Sequence, residues 1–233
     1  MVKAGVIGFC TLLSLASPVV AQQQVYAVMW GSSQLGVVTF DPQTNPATGA
    51  VLSSDLQGTL LGLLDGSFAA ISRPAPDRSG GVIYRATSDS PRKKRVSTIS
   101  LTATGIAAAA TVTPARDMTK FTRPGNVPPG VLNPVQAFER LALARSCPQG
   151  AFKIYDARRV VEVTPTSATQ SGTVLTCKLA YRVILGPGHL RPLGVKSVAM
   201  TLEFDPAVAK TGPRLISLGA DLLRLDLRRM AVK

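Results

Sequence analysis

Apolar and polar residues alternate with period two along much of the chain. In Leu175, Cys177, Leu179, Tyr181, Val183 and Leu185 every second residue is apolar, and Thr176, Lys178, Ala180 and Arg182 lie between them. This predicts a long strand with one buried face. Val198, Met200, Leu202 and Phe204 repeat the pattern against Ser197, Thr201 and Glu203. Leu223, Leu225 and Leu227 do so against Arg224, Asp226 and Arg228, and are expected to pair with Leu215–Leu218 around a turn at Gly219. Near the front, Val25–Trp30 and Leu35–Phe40 flank Gly31-Ser32-Ser33-Gln34 and predict a hairpin. Arg95–Leu101 and Val160–Val163 read as further strands. The short links between neighbours favour antiparallel pairing, since a parallel pair needs a long crossover.

One helix interrupts this pattern. Asn133 suits an N-cap, Pro134 the first helical position, and Val135, Phe138, Leu141 and Ala142 one apolar face, with the end before Cys147-Pro148. Leu60–Phe68 is ambiguous, because leucine spacing suits a short helix while Gly62 and Gly66 weaken it. Between Pro114 and Pro134 five prolines, with Gly125 and Gly130, predict a long irregular crossing segment. The expected fold is mainly β: a single-domain, curved or half-closed antiparallel sheet with one substantial helix and one disulfide.

The amino terminus changes the expected compartment. Lys3 precedes an uncharged apolar run from Ala4 to Ala16, Val19-Val20-Ala21 fits a signal-peptidase site, and Gln22-Gln23-Gln24 opens a polar stretch. The run is too short to span a bilayer comfortably, so residues 1–21 read as a signal peptide cleaved after Ala21. Residues 22–233 then form one periplasmic domain that is not transmembrane. Phe9 before Cys10 is too bulky for lipoprotein processing. Cys147 and Cys177 are the two cysteines left, and an even pair in an oxidising compartment reads as a disulfide, the alternative being two separate buried thiols.

Charge then narrows the partners. The chain carries a formal +13, reduced by one when Lys3 is removed. Such a balance usually suggests nucleic acid, but export replaces nucleic acid by anionic lipid or envelope polymer. Arg182, Arg224 and Arg228, on the polar faces of strands, are the candidate cationic contacts, with Trp30 beside Tyr26 and Met29 as a candidate pocket wall; the same alternation equally suits Trp30 to a core. Arg92-Lys93-Lys94-Arg95 reads as a solvated turn entering a strand, or as a footprint for an anionic surface.

Little catalytic chemistry is legible. His189, the single histidine, sits in a Gly-Pro-Gly turn with Arg191 nearby and no partner that the sequence names. One histidine and no free thiol argue against a His-based metal site. No nucleophile elbow or phosphate-cradling glycine motif occurs, and the carboxylates are scattered. No metal or other cofactor is expected. A binding or carrier protein for an amphipathic anionic envelope molecule ranks first, an envelope scaffold or protein-interaction module second, and an enzyme a distant third.

Three local patterns cluster between Gly130 and Arg182. They are N-P-x-x-A-x at the helix start (Asn133–Phe138), a cysteine followed by Y-D-x-R-R (Cys147, then Tyr155–Arg159), and C-x-x-x-Y (Cys177 to Tyr181). In these, and in the front hairpin ending in G-x-x-x-F and the arginine-rich start of a middle strand, the chain resembles an exported bacterial family, the domain of unknown function 3108. The resemblance extends over nearly all of residues 22–233. Ala157 stands where that family usually has glycine, which puts the tight turn in question. The resemblance implies an envelope location and a curved antiparallel sheet with few helices. It implies no established activity and no catalytic residues.

Overall fold

Alternation is realised as strands along most of the chain. The computed structural model describes residues 22–42, 49–57, 65–77, 79–91, 93–189, 194–207, 212–220 and 223–231. The strands are β1 (Gln24–Trp30), β2 (Ser33–Asp41), β3 (Ala50–Leu56), β4 (Gly66–Pro74), β5 (Val82–Ser90), β6 (Lys93–Leu101), β7 (Ala107–Thr113), β8 (Val131–Leu132), β9 (Phe152–Tyr155), β10 (Val160–Ser171), β11 (Val174–Leu185), β12 (Ser197–Phe204), β13 (Leu215–Ala220) and β14 (Leu223–Arg229). One helix, α1 (Pro134–Ala142), lies between β8 and β9.

All 14 strands join one sheet in the order β7 to β1, then β14 down to β8. The order is therefore sequential around a nearly closed, up-and-down barrel in which the first and last strands pair in the middle, Tyr26 opposite Arg229. The edge strands β7 and β8 are neighbours in sequence, and Val131 N donates to Gly105 O at 3.0 Å across the gap between them. Three 3-10 turns (Ala115–Asp117, Lys120–Thr122 and Pro124–Asn126) pack against β7 and span this seam. They form the irregular crossing expected from its prolines. Among the described residues only β8 and β9 pair in parallel, which the intervening helix permits.

α1 occupies the inside of the barrel and is tied at both ends. Asn133 is fully buried; its Oδ1 accepts Val135 N (3.0 Å) and Gln136 N (3.1 Å), and its Nδ2 donates to Ser72 Oγ on β4 at 2.9 Å. At the other end Gln24 Nε2 donates to Ala142 O at 3.1 Å, while Tyr26 Oη donates to Gln24 Oε1 at 2.7 Å. Between these ties Phe138 meets Tyr26 edge-on at 6.0 Å and Phe40 at 5.5 Å. Phe138 thereby joins two buried clusters, one centred on Phe40, Tyr84 and Ile99, the other on Tyr26, Leu179 and Leu202. The inner apolar faces of the sheet pack against α1 through these two clusters.

The disulfide is formed: Cys147 and Cys177 have Cα atoms 5.5 Å apart and fasten the segment after α1 to β11. Other expectations shift. α1 ends with its apolar face at Ala142, short of the stop expected at Cys147-Pro148. Gly219 lies within β13, paired opposite Ala199 and Arg224, rather than in a turn. The ambiguous Leu60–Phe68 stretch lies partly outside the described residues, and its end, from Gly66, belongs to β4.

Candidate functional site

The residues chosen from sequence do not converge. Arg182, Arg224 and Arg228 are exposed on the outer face, alternating with inward-facing Val183, Leu225 and Leu227. Arg224 and Arg228 lean toward one acid: Arg224 Nε is 3.0 Å from Asp226 Oδ1, and Arg228 Nη2 is 3.8 Å from Asp226 Oδ2. Burial works to raise the Asp226 pKa, but hydrogen bonds from Ser217 and Arg224 and the two arginine charges hold it below its ordinary value. Their charge is thus partly spent inside the protein. Arg182 stands opposite Glu162 and Ser197 on neighbouring strands. Trp30 is half-buried at the end of β1, on the same side as Val28.

A better-matched pair of cations lies on β4 and β5. There the inward positions are Ala70, Ser72, Tyr84 and Ala86, so Ile71, Arg73, Ile83 and Arg85 face outward. Register places Ile71 opposite Arg85 and Arg73 opposite Ile83. Thr98 on β6 completes a groove of about 250 Å³ lined by these residues. Val51, 36% exposed, extends the aliphatic row beside Ile71. Among the described residues neither Arg73 nor Arg85 has an ion-pair partner. A second depression, about 430 Å³ between β2 and β3, is lined by Asp55 and carries no cation.

The seam concentrates charge on the inner side. Lys93 and Arg95 turn inward onto Asp117, which is 4% exposed; Arg95 Nε lies 3.1 Å from Asp117 Oδ2, and Lys93 Nζ contacts Oδ1. The basic run is therefore not wholly solvated. Lys94 alone of these three points out, 3.1 Å from Asp89, and Arg92 lies outside the described residues. Arg158 Nε donates to Asp117 O at 2.7 Å. The β9–β10 turn that carries Arg158 is built by Asp156, whose Oδ1 accepts Arg158 N (3.0 Å) and Arg159 N (2.9 Å). Ala157 holds φ +72°, so the alanine takes the left-handed backbone that glycine favours. Thr119 and Thr122 hydroxyls donate to Arg158 O and Ala157 O, and Tyr155 Oη to Phe121 O.

His189 has the partner that sequence could not name. Its Nε2 is 2.9 Å from Tyr181 Oη, and an isolated bridge to Val195 holds its backbone. Burial, then the Arg159 charge, push its pKa down to about 4 against the opposing pull of Asp156. Arg191 lies outside the described residues. Among the described residues no group of three or more His, Cys, Asp or Glu is placed to hold a metal.

The chain matches no protein-family model, no curated protein and no solved structure. Arg73 and Arg85 were missed in the sequence because β4 and β5 were not recognised as strands. A signal was present: Ile71-Ser72-Arg73 and Ile83-Tyr84-Arg85 repeat an Ile-x-Arg pattern, which a strand assignment turns into one mixed aliphatic and cationic surface.

Proposed function

We propose that this domain is an exported, non-catalytic binding or carrier protein for an amphipathic anionic molecule of the cell envelope, engaged at the outer groove of β4 and β5. The observation that carries the reading is the groove itself, where Ile71 and Ile83 stand beside two arginines that no acid of the described residues neutralises. Ile71 and Ile83 meet the acyl portion, and Arg73 and Arg85 meet the anionic head. Each 100 Å² of apolar area covered contributes about 2.5 kcal/mol, and each arginine about 1 kcal/mol at an anionic lipid surface. Neither term alone gives tight binding, so the groove suits ligands shown in many copies, as in a lipid layer. The resemblance to the domain of unknown function 3108 and the signal-like residues 1–21 agree with an envelope location.

The test uses vesicles of phosphatidylglycerol, vesicles of phosphatidylcholine, and lipopolysaccharide, with binding followed by co-sedimentation at low and high salt. Saturable binding to the anionic preparations, weakened at least tenfold in the Arg73→Gln/Arg85→Gln double variant, is expected. Equal binding by wild type and double variant, or no saturable binding to any preparation, overturns the reading. Intact mass of the protein recovered from the periplasm checks its export: a species beginning at Gln22 is expected, and one retaining Met1 contradicts it.

A further inference from the structure

The groove on β4 and β5 sets its side chains on two diagonals. Ile71 stands opposite Arg85 and Arg73 opposite Ile83, so the arginines form one diagonal of this block and the isoleucines the other. Diagonal neighbours in an antiparallel sheet stand about 7–8 Å apart, within reach of long side chains. Arg73 and Arg85 are both exposed and line the same groove of about 250 Å³, so one group held there is within reach of both. Thr98, opposite Arg85 on β6, adds a hydroxyl to the lining. Pockets that enclose a whole small ligand run to about 300–1,000 Å³. The groove is smaller, and therefore suits a headgroup whose remainder lies outside, along Ile71, Ile83 and Val51.

The acids of the neighbouring strands are kept away from these arginines. Asp55 on β3 and Asp89 on β5, both facing outward, stand on either side of Ser67. Ser67 is four residues along β4 from Ile71, about 13 Å at the rise of a strand. That exceeds the ~8 Å over which exposed charges act at physiological salt. Asp65 precedes β4 at the same end, and Asp89 is already 3.1 Å from Lys94. In the turn after β4, Asp77 accepts Ser79 N at 3.1 Å. The surface is thus polarised along the strands, with two cations at one end and the strand acids at the other.

We propose that the groove takes a phosphate monoester in its dianionic form, with the two arginine forks and the Thr98 hydroxyl on its three terminal oxygens. The inference rests on the binding function proposed above and narrows it to one class of headgroup. Two guanidinium charges without an acid beside them call for two negative charges on one group. A phosphate monoester supplies both, with three strong acceptor oxygens that suit bidentate arginine bonds. A phosphodiester or a carboxylate brings one charge and leaves one arginine unmatched. The same head occurs on a lipid, as in phosphatidic acid, and on a soluble molecule, as in glycerol 3-phosphate.

Vesicles do not discriminate between heads here, because two neighbouring lipids can meet the two arginines separately. The experiment therefore uses monomeric ligands: dihexanoyl phosphatidic acid, dihexanoyl phosphatidylglycerol and glycerol 3-phosphate. Each is titrated into isotope-labelled protein while the amide NMR signals of residues 71–73 and 83–85 are followed. At about pH 8 phosphatidic acid should bind about fivefold tighter than phosphatidylglycerol, the scale of one arginine at an anionic surface. At about pH 5 the preference should vanish, because the second ionisation of a phosphate monoester lies near ~6. Among the described residues the charged groups around the groove are Asp55, Asp65, Asp77, Asp89, Lys94 and the two arginines, with no histidine. The chain's single histidine, His189, stands after β11 with a pKa of about 4, so the change belongs to the ligand. Either single variant, Arg73→Gln or Arg85→Gln, should lose the preference for phosphatidic acid. Phosphatidic acid binding tighter than glycerol 3-phosphate marks a lipid as the source. Equal binding of those two supports the monoester head on a soluble molecule and overturns the lipid reading. Equal binding of the two lipids at both pH values, or a preference that survives in both single variants, overturns the monoester assignment. Vesicle binding that still depends on Arg73 and Arg85 would then leave the carrier reading standing without it.

Discussion

Arg95 Nε lies 3.1 Å from Asp117 Oδ2, and this ion pair joins strand β6 to the segment that spans the seam of the barrel. Asp117 also contacts Lys93 Nζ, while its carbonyl accepts Arg158 Nε, so one buried acid serves three cations. Burial works to raise its pKa, but the hydrogen bonds and charges of Lys93 and Arg95 outweigh burial and hold it below 3.8. Replacing Asp117 with Asn leaves these cations facing one another. The expected loss is about 2–3 kcal/mol, less than for a fully enclosed pair because Lys93 and Arg95 keep some water contact. A depressed carboxyl stabilises the fold above its unfolded value and loses that contribution as pH falls through the folded one. Urea midpoints of wild type should therefore fall below pH 3.8 more steeply than those of Asp117→Asn.

His189 should give the fold a second, distinct pH dependence. Its pKa is about 4 in the folded protein against 6.5 for the free side chain. As pH falls the unfolded chain takes up this proton first, so stability is complete above 6.5, declines between 6.5 and 4, and is lost no further below 4. Urea midpoints measured across that window should show the slope in wild type and a smaller one in His189→Gln. Equal slopes would mean that the imidazole titrates as it does in water.

Asn133 holds α1 inside the barrel through both its cap and its bond to Ser72. Asn133→Ala removes the cap, worth about 1 kcal/mol, and leaves the Ser72 hydroxyl short of a buried partner, worth about 1 kcal/mol more. Asn133→Asp keeps the cap acceptor but loses the donor to Ser72 and buries a charge. Thermal unfolding should therefore rank wild type above both variants, with the alanine variant lower by about 2 kcal/mol.

The Cys147–Cys177 bridge closes a sequence separation of 30 residues that contains β9 and β10. In the chain-entropy account such a loop contributes about 3–4 kcal/mol. The double Cys→Ser variant should melt well below wild type, and reduction of wild type should bring its melting point down to that of the variant. Peptide mapping without reductant should recover the two cysteines linked.

The sequence by itself determined the β class, the register of faces within each recognised strand, the capped helix and the disulfide. Each of these is written in local periodicity, in a residue's own backbone preference, or in a count of two cysteines. Alternation from Leu175 to Leu185 fixed which side of β11 is buried, and Asn133-Pro134 fixed where α1 begins. β4 and β5 escaped notice because Ala, Ser and Thr carry much of their alternation and give too little contrast between faces. Only the tertiary structure decided which residues meet. Curling of the sheet put α1 in the interior and left Ile71, Arg73, Ile83 and Arg85 together outside. Closure of the seam between β7 and β8 turned half of a basic run inward onto Asp117. The loop after β11 folded His189 back onto Tyr181, a contact that no strand periodicity records. The physical reason is one of range: periodicity records the faces of single strands, whereas a site depends on contacts between strands that chain closure sets at a distance.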